Sequence, residues 1–341
     1  MAAIVLADDG VVFDGPAAAE RALGGAETAF VALAEALAAR GHAVRALARG
    51  ARRLQHRGVV WAPIEAGVPE RADLYVANRG HRVLGWCRGA RRTVFWVHNP
   101  ARYLLKWRYQ WPLARRRPIL VFTGAYHAAT YPVWGMGGRR CIVPLGVSEA
   151  FLGARERPPP PPVAIFTSNP LRGLEALADL WATAIRPRVP GARLLVHAGG
   201  GVYGDPRTAE RIAPVLERVA ARAADGIDVR PPLPKTELAR AMAACRLFLY
   251  AGSPDETFCL AAAEAQALGL PAVVGRVGAL PERVADGVTG FVVDDAAAMA
   301  DAAFRLLTDD PLWQNQHRAA LARSADAGWD AAAAAFEALA A

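Results

Sequence analysis

Leu247-Phe-Leu-Tyr250-Ala-Gly-Ser-Pro-Asp-Glu256-Thr-Phe-Cys-Leu260-Ala-Ala-Ala-Glu264-Ala-Gln-Ala-Leu-Gly269-Leu-Pro271 is the stretch that decides the fold. Leu247–Tyr250 is an apolar run without polar alternation, as in strands of a parallel sheet covered on both faces. Turn formers follow at Gly252, Ser253, Pro254 and Asp255, and a helix is expected from near Thr257 to Gly269. In open parallel sheets ligands bind beyond the carboxyl ends of the strands, which is where this loop falls. Backbone N–H groups at the expected helix start, near Phe258, Cys259 and Leu260, make an anion site. Glu256 lies in the loop and Glu264 two helical turns later, so both can reach one elongated ligand. Glu264 stands among Leu260, Ala261, Ala263, Ala265 and Ala267 as the one acid of an apolar helix, and a carboxylate so placed needs partners. Such a carboxylate can accept two hydrogen bonds from ribose hydroxyls.

The same strand–helix rhythm extends in both directions. Ile4–Ala7, Val44–Leu47, Leu74–Ala77, Val94–Val97, Leu120–Phe122 and Ile142–Pro144 are expected strands. Ala26–Arg40 is a helix, with Phe30, Leu33, Ala34 and Leu37 at helical spacing and Gly41 as its stop. The rhythm restarts with strands at Val163–Phe166, Leu194–Val196 and Pro271–Val274, and helices at Leu174–Ile185, Ala209–Ala223 and Glu237–Ala244. Between the two series stand five prolines, Pro158–Pro162, a stiff extended spacer. The reading is an α/β chain of two doubly wound, Rossmann-like domains facing across a cleft. Its expected division is residues 1–157, a hinge at 158–162, residues 163–312, and helices over 313–341 that pack back across the hinge.

Length and composition agree with this. The 341 residues are 53% hydrophobic and 21% charged, which excludes a disordered polyelectrolyte and suits two ordinary cores. Cys87, Cys141, Cys245 and Cys259 are far apart, against a disulfide framework or zinc site and in favour of a reducing compartment. No 18-residue apolar stretch offers a membrane span, and Met1–Ala7 is expected to be a buried first strand. The net charge of +8 is uneven. Residues 1–150 hold 21 Lys and Arg against 10 Asp and Glu, or +11, and the remainder carries −3. A basic half suits an anionic partner, although an Arg-rich, Ala-rich composition also produces it.

Several further segments carry chemistry. Gly24-Gly25-Ala26-Glu27 precedes the first long helix, either as a close-approach loop for a ligand or as a plain turn. His98, followed by Asn99-Pro100, ends an apolar strand and is expected at the carboxyl edge of the sheet. Phe166-Thr-Ser168-Asn169-Pro-Leu-Arg172-Gly173 follows the first strand of the second series. Arg230-Pro-Pro-Leu233-Pro234-Lys-Thr-Glu237 precedes a helix expected to be capped by Thr236. From Arg102 to Arg117 aromatics alternate with cations: Arg102, Lys106, Trp107, Arg108, Trp111, Arg115, Arg116 and Arg117. Leu104, Trp107 and Trp111 are expected on one helical face until Pro112. The segment reads as a headgroup or lipid-acceptor surface, or as an exposed helix with some core-packed Trp. No nucleic-acid module accompanies it.

These residues resemble a known family. Glu256 and Glu264 match the Glu-x7-Glu motif of retaining GT-B glycosyltransferases, particularly glycosyltransferase family 4. Ala265-Gln266, Gly269-Leu-Pro271, Gly278-Ala-Leu-Pro-Glu282 and Gly290-Phe-Val-Val continue the likeness, which is strongest over 163–295. The resemblance implies that Glu264 holds the nucleotide ribose and Glu256 contacts the donor sugar. It implies that the amides of Phe258, Cys259 and Leu260, with Gly24 and Gly25, hold the donor diphosphate, and that His98 touches the sugar. It places Arg172 on the phosphates and makes Leu233 and Pro234 part of the loop that cups the base. Where the family usually has a first Arg, this chain has Ser168 or Asn169, so neutralisation of the diphosphate falls more on Arg172 and on amides. The implied reaction moves a sugar from a UDP- or GDP-sugar to a hydroxyl of a glycan, lipid-linked or small-molecule acceptor, in envelope polysaccharide, lipopolysaccharide or glycolipid synthesis. It needs neither metal nor pyridoxal phosphate, and nucleic acid is not a partner. The expected location is cytoplasmic, with an anionic membrane face as a candidate partner. The rivals are a nucleotide-sugar epimerase of the same layout and a non-catalytic nucleotide-sugar-binding scaffold. A pyridoxal-dependent phosphorylase would need Lys106 or Lys235, neither well placed.

Overall fold

A computed structural model describes residues 1–341, the side chain of Tyr203 aside. The chain divides into two units, Met1–Gly146 with Trp329–Ala341, and Val147–Gly328.

The first unit is built on β1 (Ala3–Asp8), β2 (Ala43–Ala48), β3 (Leu54–His56), β4 (Val59–Pro63), β5 (Arg71–Asn78), β6 (Gly89–Trp96), β7 (Ile119–Phe122) and β8 (Arg140–Ile142). They pair in the order β3-β4-β2-β1-β5-β6-β7-β8, with only the β3–β4 pair antiparallel. Successive side chains of a strand enter opposite cores: Ile4 and Leu6 on one face, Val5 and Ala7 on the other. The first face is covered by the helix Gly25–Ala39, through Phe30, Leu33 and Leu37, and by the last helix, Asp330–Ala340, through Ala333 and Phe336. Burying Phe30 and Phe336 completely contributes about 1.5–3 kcal/mol each. The opposite face is closed by Val83, Leu84, Leu104 and Leu113.

The second unit carries β9 (Val163–Phe166), β10 (Arg193–His197), β11 (Ile227–Arg230), β12 (Leu247–Tyr250), β13 (Ala272–Gly275) and β14 (Gly290–Val293). The six form a parallel sheet in the order β11-β10-β9-β12-β13-β14. In each sheet the strand order reverses once, between β1 and β5 in the first and between β9 and β12 in the second. Crossovers leave in opposite directions at such a point, and a crevice opens beyond the carboxyl ends of the strands.

Several expectations are corrected. The motif helix spans Leu260–Ala267, starting three residues later than expected, because Cys259 holds a left-handed backbone (φ 64°) that a helix cannot continue through. The helix at 235 begins at Lys235 with Pro234 at its cap position, so Thr236 lies inside it and caps nothing. The helix Trp107–Arg116 runs straight through Pro112 and ends where Arg117 turns left-handed (φ 46°). Leu104 belongs to a separate short turn and is buried, whereas Trp107 and Trp111 are 76% and 59% exposed, so the three share no face. The expected strand at Ile142–Pro144 is Arg140–Ile142. The hairpin β3–β4 and strand β11 were not anticipated. They are edge elements, with exposed or polar residues between buried ones, and so lack a continuous apolar run.

The proline run lies inside the second unit as a strap bonded to it. Arg246 Nη1 donates to the Pro160 carbonyl (3.3 Å) and Arg193 N to that of Pro162 (3.1 Å). The division between the units comes earlier in the chain, after Gly146.

Candidate functional site

In the second unit the switch-point loops are the β9 loop, with Ser168 and Arg172, and the β12 loop, with Glu256. Glu256 is 4% exposed, and its Oε1 accepts from Arg172 Nη1 at 2.5 Å and from the Tyr250 hydroxyl. Ser168 in turn bonds Tyr250. Burial opposes the charge of Arg172, but the Glu256 carboxylate outweighs it and holds the guanidinium more strongly protonated than usual. Burial, reinforced by Glu256, pushes the Tyr250 phenol up, so it stays a donor. Gly278 makes the floor of the loop. At φ 60°, a Cβ there would lie 2.7 Å from the Glu256 carbonyl oxygen, while Ala279 N donates to that same oxygen at 2.9 Å.

Glu264 is 1% exposed on the helix Leu260–Ala267, and Lys235 Nζ sits 2.5 Å from its Oε1. Burial raises the Glu264 pKa and Lys235 pulls it back only in part. Lys235 directly follows Leu233 and Pro234, so the candidate base loop is tethered to the candidate ribose ligand. Phe258 and Cys259 are buried ahead of the helix, and the Leu260 amide is the first of its turn. Burial pushes the Cys259 thiol well up, with Glu256 adding to the shift. The structure thus brings Ser168, Arg172 and Glu256 into one bonded group, and Leu233, Pro234 and Glu264 into a second. Sequence reasoning missed Tyr250 and Lys235 as partners. The signal available for Lys235 was that it is one of only two lysines and stands beside the loop already singled out.

In the first unit Asp8, Asn78 and Trp96 are in register across β1, β5 and β6 at the carboxyl edge of the sheet, with His98 two residues on. His98 Nε2 lies 2.8 Å from Asn78 Oδ1, and Asn78 Nδ2 donates to Asp8 Oδ2 at 2.5 Å. Arg79 donates to the same Asp8 oxygen from Nη2 (2.8 Å) and Nε (3.1 Å), and its Nη2 is 2.9 Å from Glu27 Oε1. Gly10 N donates to Asp8 Oδ1 at 2.7 Å. A Cβ on Gly10 would come within 2.8 Å of both Asp8 and Arg79 side chains, so this close packing requires glycine. Glu27 is in the first turn of the helix that Gly24 caps and Gly25 opens, so the glycine loop and His98 are ends of one polar chain. A Cβ on Gly25 would meet no atom within 4 Å. Burial, then Arg79 and His127, hold the His98 pKa well below the usual histidine range. His127, pushed to about 4 by burial, is anchored to the Asn99 carbonyl at 2.9 Å.

Arg102, Lys106, Arg108, Arg115, Arg116 and Arg117 are all exposed around Trp107 and Trp111, whose rings lie 6.1 Å apart. Exposed Val133, Trp134 and Met136 lie on a loop tied to the same helix, since Gln110 bonds Tyr131 (2.9 Å) and Met136 N (3.4 Å). No helix among the described residues is long and apolar enough to cross a membrane.

Comparison with known proteins gives these arrangements a context. A D-inositol 3-phosphate glycosyltransferase of Segniliparus rotundus is 36% identical over 168 residues, 48% of this chain and 36% of that protein. One of Corynebacterium diphtheriae is 34% identical over 200 residues, 57% of this chain and 43% of that protein. The matches thus span less than half the length of these curated relatives. Sucrose-phosphate synthase from Thermosynechococcus elongatus superposes with a TM-score of 0.75 over 98% of this chain and 97% of its own, at 20% identity. Anabaena HepE in complex with UDP-glucose gives 0.73 over 99% and 98%, at 14% identity. The chain has the GT-B fold of two Rossmann-like domains, and its residues 161–309 match the family described as Glycosyl transferases group 1.

Proposed function

We propose that the chain is a retaining glycosyltransferase of the family 4 type, taking a sugar from a nucleotide-diphosphate donor to a hydroxyl acceptor without metal. The observation that carries this reading is the pair of buried acids eight positions apart, each held by a cation from a different loop at the β9/β12 switch point. A donor would spread along that line. Its base would lie on the backbone at Leu233 and Pro234, its ribose on Glu264, its diphosphate on the amides near Phe258, Cys259 and Leu260, and its sugar on Glu256. A leaving diphosphate needs positive charge already in place, and amides at a helix start supply it without reorganisation. Arg172 adds a guanidinium with N–H groups beyond the one given to Glu256, and its side chain is one-third exposed. The solved relative named for UDP-glucose binding supports a nucleotide-sugar donor. In this reading the acceptor attacks on the face the diphosphate leaves, and a phosphate oxygen takes its proton.

The partner of the exposed Trp107–Arg117 surface is, in the same reading, an anionic leaflet met from the cytoplasmic side. Its indole rings suit the headgroup level, and its arginines suit acidic lipid. An acceptor in envelope polysaccharide or glycolipid synthesis would be presented there. The test is a thermal-shift screen with UDP, GDP and ADP, followed by donor turnover. One nucleotide is expected to raise Tm by several degrees. No shift with any of them would end the proposal, and isomerised donor without transfer would convert it to an epimerase.

A further inference from the structure

The polar chain Glu27–Arg79–Asp8–Asn78–His98 matches no motif of the sequence reading, and it settles a property of His98 that coordinates alone do not give. An Asn amide has one donor end and one acceptor end, which its surroundings must tell apart. Here they do. Asp8 Oδ2 accepts from both Arg79 nitrogens and Oδ1 accepts from Gly10 N, so the carboxylate is ionised and can only accept. The Asn78 atom 2.5 Å from it is therefore the amide nitrogen, and the atom 2.8 Å from His98 is the carbonyl oxygen. An oxygen acceptor requires the proton on His98 Nε2. We propose that Asp8 and Asn78 are positioning residues that lock His98 as the neutral Nε2–H tautomer, its lone pair on Nδ1, and that Arg79 and Glu27 keep the lock set.

The charged and titratable groups facing the ring agree. Arg79 and His127 disfavour a second positive charge beside it, the Trp96 ring packs 4.5 Å away, and Asp8 and Glu27 reach it only through Asn78 and Arg79, their charge already matched by the guanidinium. Arg79 itself holds φ 59°, a backbone setting rarely adopted by long side chains, and this aims its fork at both acids. The inference rests on the proposed function for its consequence. If His98 meets a donor sugar, it meets it as a hydrogen-bonding group that neither donates a proton to the leaving group nor stabilises it as a cation. The pH profile of turnover would then carry no His98 titration between about pH 5.5 and 8.

The experiment is nitrogen NMR of the full chain labelled at histidine, with His98 assigned by difference from His98→Gln. The expected result is a protonated Nε2 and an unprotonated Nδ1 for His98, unchanged from pH 8 to 5.5. Asp8→Asn, which keeps the shape and lets the Asn78 amide turn, is expected to admit the Nδ1–H tautomer. Asn78→Asp is expected to bring an imidazolium signal that titrates above pH 6.5. A network that only supported the fold would leave the His98 signals alone in both folded variants. An Nδ1–H or imidazolium His98 in the unaltered protein at pH 7 would overturn the proposal, as would signals unmoved by Asp8→Asn. Turnover of UDP-glucose and GDP-mannose by His98→Gln addresses the other question. Unchanged turnover there would remove His98 from the site while leaving the tautomer result standing.

Discussion

The two switch points solve one problem, holding charge at the carboxyl edge of a parallel sheet, in opposite ways. In the second unit each acid has its own cation: Glu256 with Arg172, Glu264 with Lys235. In the first, a single guanidinium is shared by Asp8 and Glu27, and the charge is passed on through an amide to a neutral imidazole. Paired acids and cations can part to admit a ligand, since each cation has its own route to solvent. A shared cation cannot leave without stranding two carboxylates. The second arrangement suits groups that must exchange partners, and the first suits a group that must be held still.

The largest expected effect tests that contrast directly. Arg79→Met leaves two buried acids without a counter-ion and is expected to cost about 3–5 kcal/mol in denaturant unfolding. Arg172→Met, beside one acid still bonded by Tyr250, is expected to cost about 1–3 kcal/mol. Equal costs would erase the distinction. Next, Glu264→Ala removes the acceptor for two ribose hydroxyls. Nucleotide affinity by calorimetry is expected to fall about 100-fold, from hydrogen bonds to a charged group at about 1.5 kcal/mol each. Wild-type affinity would sink the ribose assignment. Glu256→Gln is expected to lower kcat by roughly 30–100-fold with nucleotide affinity within a few-fold, because its contact is with the sugar. A loss of affinity without a loss of kcat would reverse the roles of the two acids.

A smaller effect follows from pH. The Glu264 pKa is raised in the folded state, so that state binds its proton more tightly than the unfolded chain does. Stability therefore falls as pH rises through the window above the usual glutamate value. Relative to Glu264→Gln, the unaltered protein is expected to gain stability as pH is lowered through that window, by less than about 1.4 kcal/mol per unit. A gap between the two proteins that does not change with pH would show that Glu264 titrates normally. Smallest for the fold is the triple change of Arg115, Arg116 and Arg117 to Ser, expected to move unfolding free energy by no more than about 0.5 kcal/mol. Its readout is co-sedimentation with anionic vesicles. Unchanged binding would make the surface an ordinary exposed helix.

How much of this was legible depends on where the partners sit in the chain. Glu256 and Glu264 were readable because a strand, a turn-rich loop and an apolar helix follow one another within 25 residues, and an acid in such a helix stands out. Lys235 was visible as a residue but not as the partner of Glu264, since 29 positions separate them and only the β11 and β12 crossovers bring them together. The first-unit chain was harder still. Asp8, Glu27, Asn78 and Arg79 are each unremarkable in sequence, and β1–β5 register alone makes the set. The late helix start also escaped, because a left-handed Cys259 has no signature in residue type.

Periodicity, the run of apolar strands and the spacing of two acids were determined by the sequence alone, since they depend on neighbours within a turn or a strand. Which cation answers each acid, which amide end faces His98, and where the proline strap is bonded were decided only by the tertiary structure. Those depend on sheet order and register, which bring distant residues within 3 Å and shield them from the water that would otherwise make their charges indifferent to one another.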